Sequence, residues 1–216
     1  RRQPVAAPAR YGPPQPPPPP QWTAPPRYAR RRRRRWPWVM MLFTLLTIAC
    51  CCGLPYYYGK PMWDQYPAKA TLPAELAGLK LRDDATSQQT AQQLKREMRT
   101  AHMIAEDTFA AVYGNSRGRR ITVFGATGFR FSPDQDLDAE VQRLTSKYGL
   151  TKVQSYDTGV RGEYQQCGTG RMDGVTIVLC SWADHGSIGT VIFTQLSITD
   201  SVDRLPELRA SIVTRD

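Results

Sequence analysis

The sequence predicts an α+β fold carried on one membrane span: a disordered Pro-rich tail, a transmembrane helix, and an extracytoplasmic antiparallel sheet of about five strands backed by two or three helices. Three observations predict it. The stretch from Trp36 to Tyr58 contains no charged residue, His, Asn or Gln. Strand-like runs at Lys152–Tyr156, Gly162–Cys167, Val175–Trp182 and Ile188–Ile198 follow one another through short glycine-rich connections, as in an antiparallel meander. Ahead of them, Thr86–Tyr113 and Ser132–Tyr148 repeat apolar residues at helical spacing and are followed by Gly114 and Gly149.

Residues 1–35 form the tail. Its first 29 residues hold eleven prolines, five of them consecutive at Pro16–Pro20, and almost no aliphatic side chain larger than Val5. Such a segment cannot bury enough apolar surface to offset its ordering entropy, and its prolines favour polyproline II. Two uses fit it: a docking strip for a cytoplasmic protein, or a spacer. The chain starts with Arg1 and not Met, so the tail is expected to extend further.

At ~1.5 Å per residue the apolar part of 36–58 covers close to the ~30 Å hydrocarbon core. Arg30, Arg31, Arg32, Arg33, Arg34 and Arg35 abut its front end, and Trp36, Trp38 and Tyr56–Tyr58 stand where amphipathic rings anchor at headgroups. The positive-inside rule then places the N-terminus in the cytoplasm and residues 59–216 outside, in a single-pass protein of the cell membrane. A rival reading takes the arginines, Val39–Ala49 and Cys50 as a lipoprotein signal with Cys50 lipidated, although Thr47 stands where a bulky aliphatic residue is wanted. Both readings put the downstream domain on the same side.

The formal charge of +10 is unevenly placed. Ten of the 29 bases precede Trp36, where there is no acid, and the remainder of the chain is formally neutral. The arginine run is therefore expected against anionic lipid headgroups. No basic helix, zinc spacing or aromatic RNA motif accompanies it, which argues against nucleic acid.

Residues 59–82 carry prolines and mixed polarity and read as a linker, with the ordered domain at 83–216. In Thr86–Tyr113 the recurring positions Leu94, Met98, Ala101, Ala105, Phe109 and Val112 give an amphipathic helix, with His102 beside its solvated face. Val123-Phe124-Gly125-Ala126-Thr127-Gly128 resembles the glycine turn of dinucleotide-binding domains, but Phe131 replaces its third small residue and Ser132-Pro133 interrupts the helix it needs. A strand from Arg120 to Gly125 ending in a glycine-rich turn accounts for the same letters, and no cofactor is expected. Ser132-Pro133-Asp134-Gln135 has the form of a capping box with proline at the first helical position. The acids that follow lack the glycine and distal Glu of a calcium loop. Ser201 is expected to cap a last helix through Val213.

Of the five cysteines, three lie in the span, and Cys167 and Cys180 form an even pair in the outer domain, as for a disulfide. Two separately buried thiols are the alternative. With only His102 and His185 in the chain, no paired metal-ligand spacing exists.

Cys180-Ser181-Trp182-Ala183-Asp184-His185-Gly186-Ser187-Ile188-Gly189 resembles a hairpin of small membrane-anchored extracytoplasmic proteins of actinobacteria, which combine a Pro-rich cytoplasmic tail, one span and a domain ending in a Cys-x-Trp-Ala-Asp turn. That resemblance implies architecture and no activity. Asp184, His185 and Ser187 are the residue types of a nucleophilic triad, but three groups in one tight turn seldom converge, and no elbow or oxyanion nest accompanies them. A turn in which Asp184 binds local amides while Trp182 packs in the core is the expectation. The chain is accordingly expected to bind or sense a ligand or partner at the envelope, not to be an enzyme. An envelope hydrolase using His185, and an assembly subunit recruiting partners through its tail, are the alternatives.

Overall fold

The structure, a computed structural model, describes Gly12 and residues 35–215, and the chain divides into two units, 1–45 and 46–216. The Pro-rich tail, its expected disorder and docking role, and Arg30–Arg34 lie outside the described residues. Arg35 is exposed directly before the first helix.

Helix α1 (Trp36–Ile48) continues through a π-helical turn, Ala49–Gly53, into α2 (Leu54–Gln65). Together they make one helix of 30 residues, long and apolar enough to cross a membrane, with its apolar window unburied by the other described residues. Pro55 has no N–H for Cys51, and in the widened turn before it the Leu54 N–H reaches back five residues to Ala49. Pro61 also lies inside the helix. The Tyr57 carbonyl that Pro61 cannot bond is taken by Arg161 Nη2 at 2.6 Å, so the helix runs past the tyrosines to Gln65.

The expected linker at 59–82 is in fact structured. After α2 come β1 (Ala68–Ala70), β2 (Glu75–Leu76), β3 (Leu79–Leu81), α3 (Ala85–Ala101), β4 (Asp107–Gly114), β5 (Arg120–Thr127), α4 (Pro133–Tyr148), β6 (Thr151–Tyr156), β7 (Tyr164–Met172), β8 (Val175–Ala183), β9 (Ser187–Thr194), α5 (Ile198–Ile212) and β10 (Val213–Arg215). Eight strands form one antiparallel sheet in the order β2-β3-β4-β5-β9-β8-β7-β6, and β1 pairs with β10 apart from it. The sheet is larger than the expected five strands because β2, β3 and β4 add three more beyond β5.

The largest departure is at 102–113, expected as the second half of a helix. The helix stops at Ala101, and Asp107–Gly114 is a strand paired residue for residue with β5. Phe109, Ala111 and Tyr113 join Val123, Trp182 and Phe193 under α5, while Ala110 joins Phe124, Leu179 and Ile192 under α3 and α4. A strand covered on both faces shows a continuous apolar run with no alternation, and the apparent helical period of Ala105, Phe109 and Val112 is a coincidence of that run.

Across one face Phe109, Gly125, Gly189 and Trp182 stand in register on β4, β5, β9 and β8. A Cβ on Gly125 would strike both the Phe109 ring and the Ile188 carbonyl of β9, and one on Gly189 the Trp182 indole. Gly125 is thus a sheet position vacated for an aromatic ring and a neighbouring backbone, and β5 runs on to Thr127 instead of turning there. Cys167 and Cys180 are direct cross-strand partners on β7 and β8, disulfide-bonded and buried, with Cα atoms 4.1 Å apart. The β7–β8 turn is tight: Asp173 and Gly174, both at positive φ, make a two-residue hairpin.

Helix α4 has the predicted limits, with Pro133 in its first turn and Gly149 left-handed after it, but the Ser132 side chain makes no capping bond. Helix α5 is capped by Ser197, whose hydroxyl accepts from the Asp200 amide at 3.1 Å. The expected cap Ser201 is instead inside the helix and donates to the Ser197 carbonyl. Pro206 lies within α5, and the Val202 carbonyl it leaves free accepts from Gln165 Nε2 at 3.5 Å.

Candidate functional site

The register of the sheet defines two ends. At the entry end, where α2 joins, Gln65 Nε2 donates to the Arg161 carbonyl at 2.9 Å and its Oε1 accepts from the His185 amide at 3.1 Å. The remote end carries the β4–β5 loop, the Asp173–Gly174 turn and the start of α3.

Helix α3 packs on β4 and β5, and α4 on β7 and β8, so β9 lies beneath the seam between them. The seam is closed near the C-terminal end of α3. Arg143, bonded to Glu140 of its own helix through Nε at 2.8 Å and Nη2 at 2.6 Å, stands 3.7 Å from Glu97 across the seam, and Lys147 Nζ meets Glu97 at 2.5 Å. His102 Nε2 stands 3.4 Å from Glu140 Oε2. His102 is therefore packed against a buried carboxylate and is not the surface residue expected. Burial alone would raise the Glu140 carboxyl, but Arg143 and then His102 overcome it and hold it down at about 2.

From Gln93 back to Asp84 the helices part and leave a cleft of about 530 Å³ at the remote end. Its floor is Val112, Thr122 and Ile192, and Tyr148 and Met172 form an apolar side. Thr86, Thr90 and Gln93 recur at steps of four and three, which places them on one stripe of α3 facing it. Three cations, Arg82, Arg120 and Lys147, and two carboxylates, Asp84 and Asp173, reach it. Arg82 is held by Asp84 at 2.8 Å, and Asp84 in turn caps α3 through the Ser87 amide at 3.1 Å. Arg82 and Ser87 keep the Asp84 carboxyl at about 2. Lys147 belongs to Glu97. The Arg120 guanidinium is exposed and has no carboxylate partner among the described residues.

A second cavity, of about 360 Å³, lies at the entry end against Trp182, Leu205 and Val213. Its charges are already matched. Arg209 clasps Glu163 with both terminal nitrogens and reaches Asp184 at 2.9 Å, and Arg215 contacts Glu163 at 3.3 Å and Asp184 at 3.1 Å. Burial would raise Glu163, but Arg209 and Arg215 lower it. Two acids and two guanidiniums saturate one another, so an incoming anion or cation there would have to break an existing pair.

The Asp184 turn has the expected form. Asp184 Oδ1 accepts from the amides of Gly186 at 2.7 Å and Ser187 at 2.8 Å, and Oδ2 accepts from Ser187 Oγ at 2.7 Å. Trp182 is buried and donates Nε1–H to Ser187 Oγ at 3.2 Å. His185 takes no part in this group. Its Nδ1 faces the Arg130 carbonyl at 2.8 Å, so Asp184, His185 and Ser187 do not form a relay. Among the described residues no three His, Cys, Asp or Glu side chains group as metal ligands.

The sequence marked Leu94 and Val112 as packing positions and none of the cleft residues as a binding site. The Thr86/Thr90/Gln93 stripe is the one signal it offered, because a solvated helix face more often carries charges than a row of hydroxyls and an amide. No protein-family model, curated protein or solved structure matches the chain.

Proposed function

We propose that the chain is a single-pass envelope protein, N-terminus in the cytoplasm, whose outer domain binds a polar, anionic, hydroxyl-rich ligand such as an acidic sugar in the cleft between α3 and α4, without catalysis. The observation that carries this is the Arg120 guanidinium, which has no carboxylate partner among the described residues, at the mouth of a cleft with hydroxyls on one wall and an aromatic and apolar surface on the other. Planar guanidinium recognises carboxylate by paired hydrogen bonds, hydroxyls and amides suit a sugar ring, and a few polar groups on an apolar lining are what ligand sites present. The burial of His185 against the Arg130 carbonyl supports a binding role over the hydrolase alternative. The likeness of Cys180–Gly189 to the actinobacterial hairpin, lipid contact at the arginine run and a cytoplasmic partner at the tail belong to the same reading.

Calorimetric titration of the full chain in detergent with uronic-acid oligosaccharides and with neutral ones of equal length tests it. The acidic set should bind, and Arg120→Ala should weaken it by about tenfold or more, the worth of one charge-assisted contact, with the melting temperature unchanged. Equal binding of both sets, or indifference to Arg120→Ala, would refute the cleft assignment. Turnover of the sugar that is lost on His185→Ala would favour the enzyme.

A further inference from the structure

Among the described residues outside the 36–58 segment, six large apolar side chains are more than half exposed: Trp63 (84%), Met103 (91%), Ile104 (73%), Phe131 (75%), Val160 (51%) and Val175 (52%). Five of the six lie on α2 or at the entry end. Met103 and Ile104 are in the α3–β4 loop, Phe131 in the β5–α4 loop, and Val160 in the β6–β7 loop. The register puts all three loops at one end, because Asp107 pairs with Thr127, Thr127 with Ser187, and Tyr164 with Ala183. Val175 alone stands at the remote end, whose β4–β5 loop carries Arg117 and Arg119 and leads into Arg120 of β5. The exposed large apolar side chains therefore gather at the end from which the helix emerges, beside exposed Glu106, Asp107, Asp134 and Asp157.

Distance along that helix says what this end meets. Gln65 lies only about 10 Å beyond Tyr58 at ~1.5 Å per residue, whereas the headgroup layer of one leaflet is about 5–8 Å thick. The β6–β7 loop reaches still closer, since Arg161 donates to the Tyr57 carbonyl at 2.6 Å and stacks 4.0 Å over the Tyr57 ring. That places Val160 and Arg161 at the level of the aromatic girdle, where rings and guanidiniums sit among headgroups. At the foot of α2, Phe129 packs edge-on to Tyr66 at 5.5 Å and extends the same surface toward Phe131.

We propose that the entry end of the domain rests on the bilayer that α2 leaves, with Met103, Ile104, Phe131 and Val160 set into the interface and Arg161 among its phosphates. This rests on the membrane span proposed above, and the test separates the two. The full chain, with Cys50, Cys51 and Cys52 replaced by Ser, is given one new cysteine at Leu46, Ile104, Phe131 or Val175, coupled to an environment-sensitive fluorophore and reconstituted into vesicles containing spin-labelled phospholipid. Labels at Ile104 and Phe131 should be quenched several-fold more than the label at Val175, and the Leu46 label should be quenched most. Quenching at Leu46 with none at Ile104 and Phe131 overturns the docked domain and leaves the span intact. An unquenched Leu46 removes the span itself. Labels at Ile104 and Phe131 that are shielded from water yet unquenched by lipid would assign the surface to a protein partner, again overturning the proposal.

Discussion

Replacing Glu140 by Gln should remove a stabilisation whose size and pH dependence both follow from its surroundings. The carboxylate is buried, bonded twice by Arg143 and faced by His102, and its folded value of about 2 lies below the ordinary 4.5. A difference of roughly two and a half units at ~1.36 kcal/mol each corresponds to about 3 kcal/mol. Because the folded value is depressed, the contribution is complete above the unfolded value near 4.5 and is lost as pH falls toward about 2. Urea unfolding of the full chain in detergent, followed by near-UV circular dichroism at pH 7 and in steps down to pH 3, measures it. Glu140→Gln should be less stable by about 3 kcal/mol at pH 7, and the two curves should approach one another below pH 4.5. A deficit that stays constant down to pH 3 would show that packing, not the charge, supplies the effect, and the argument from Arg143 would fail.

Reducing the Cys167–Cys180 bond should cost about 3 kcal/mol in the chain-entropy model for a loop of this length. Cys167→Ser and Cys180→Ser should each cost that much and the double variant no more, as read by thermal melting, since all remove one bond. Protease added to intact spheroplasts should digest the chain after Lys60 and spare the tail. Digestion of the tail, or a mature chain beginning at Cys50, would refute the orientation drawn from the arginine run.

The legible parts of the fold were those set by local chemistry. Pro133 and Gly149 delimit α4 because each is suited to its own end of a helix, and the Asp184 turn follows from one short acceptor beside two amides. The illegible parts were set by what lies across space. Strand β4 showed no alternation because α3 covers Ala110 while α5 covers Ala111, so its letters fitted a helix as well. Strands β1 to β3 are two or three residues long among prolines, too short for any period to show. Gly125 looked like a phosphate turn because the reasons for it, the Phe109 ring and the Ile188 carbonyl, come from other strands. The candidate cleft was invisible for the same reason: Arg82, Lys147, Asp173 and Ile192 meet only once four separate segments have folded.

Gly162 shows how such a cross-chain constraint can be tested where the helix meets the domain. Its φ of 83° lies in the left-handed region, and a Cβ there would come within 2.9 Å of Pro61 Cβ, 3.1 Å of Gln65 Oε1 and 3.2 Å of the His185 ring. Gly159, in the same loop, also has positive φ, at 71°, but a Cβ on it would meet nothing within 4 Å. Alanine at Gly159 therefore costs only backbone strain of about 1–2 kcal/mol, whereas alanine at Gly162 adds a collision with the foot of α2. Pro61 is the nearest and cannot swing aside, so the foot of α2 must shift and carry with it Gln65, which holds the His185 amide and the Arg161 carbonyl. Hydrogen exchange should therefore speed up at the His185 amide in Gly162→Ala and stay unchanged there in Gly159→Ala, while the amides of β5 and β9 remain protected in both. Equal exchange at His185 in the two variants would mean that Gln65 does not fasten the helix to the Asp184 turn, and that the seat of α2 on the domain lies elsewhere.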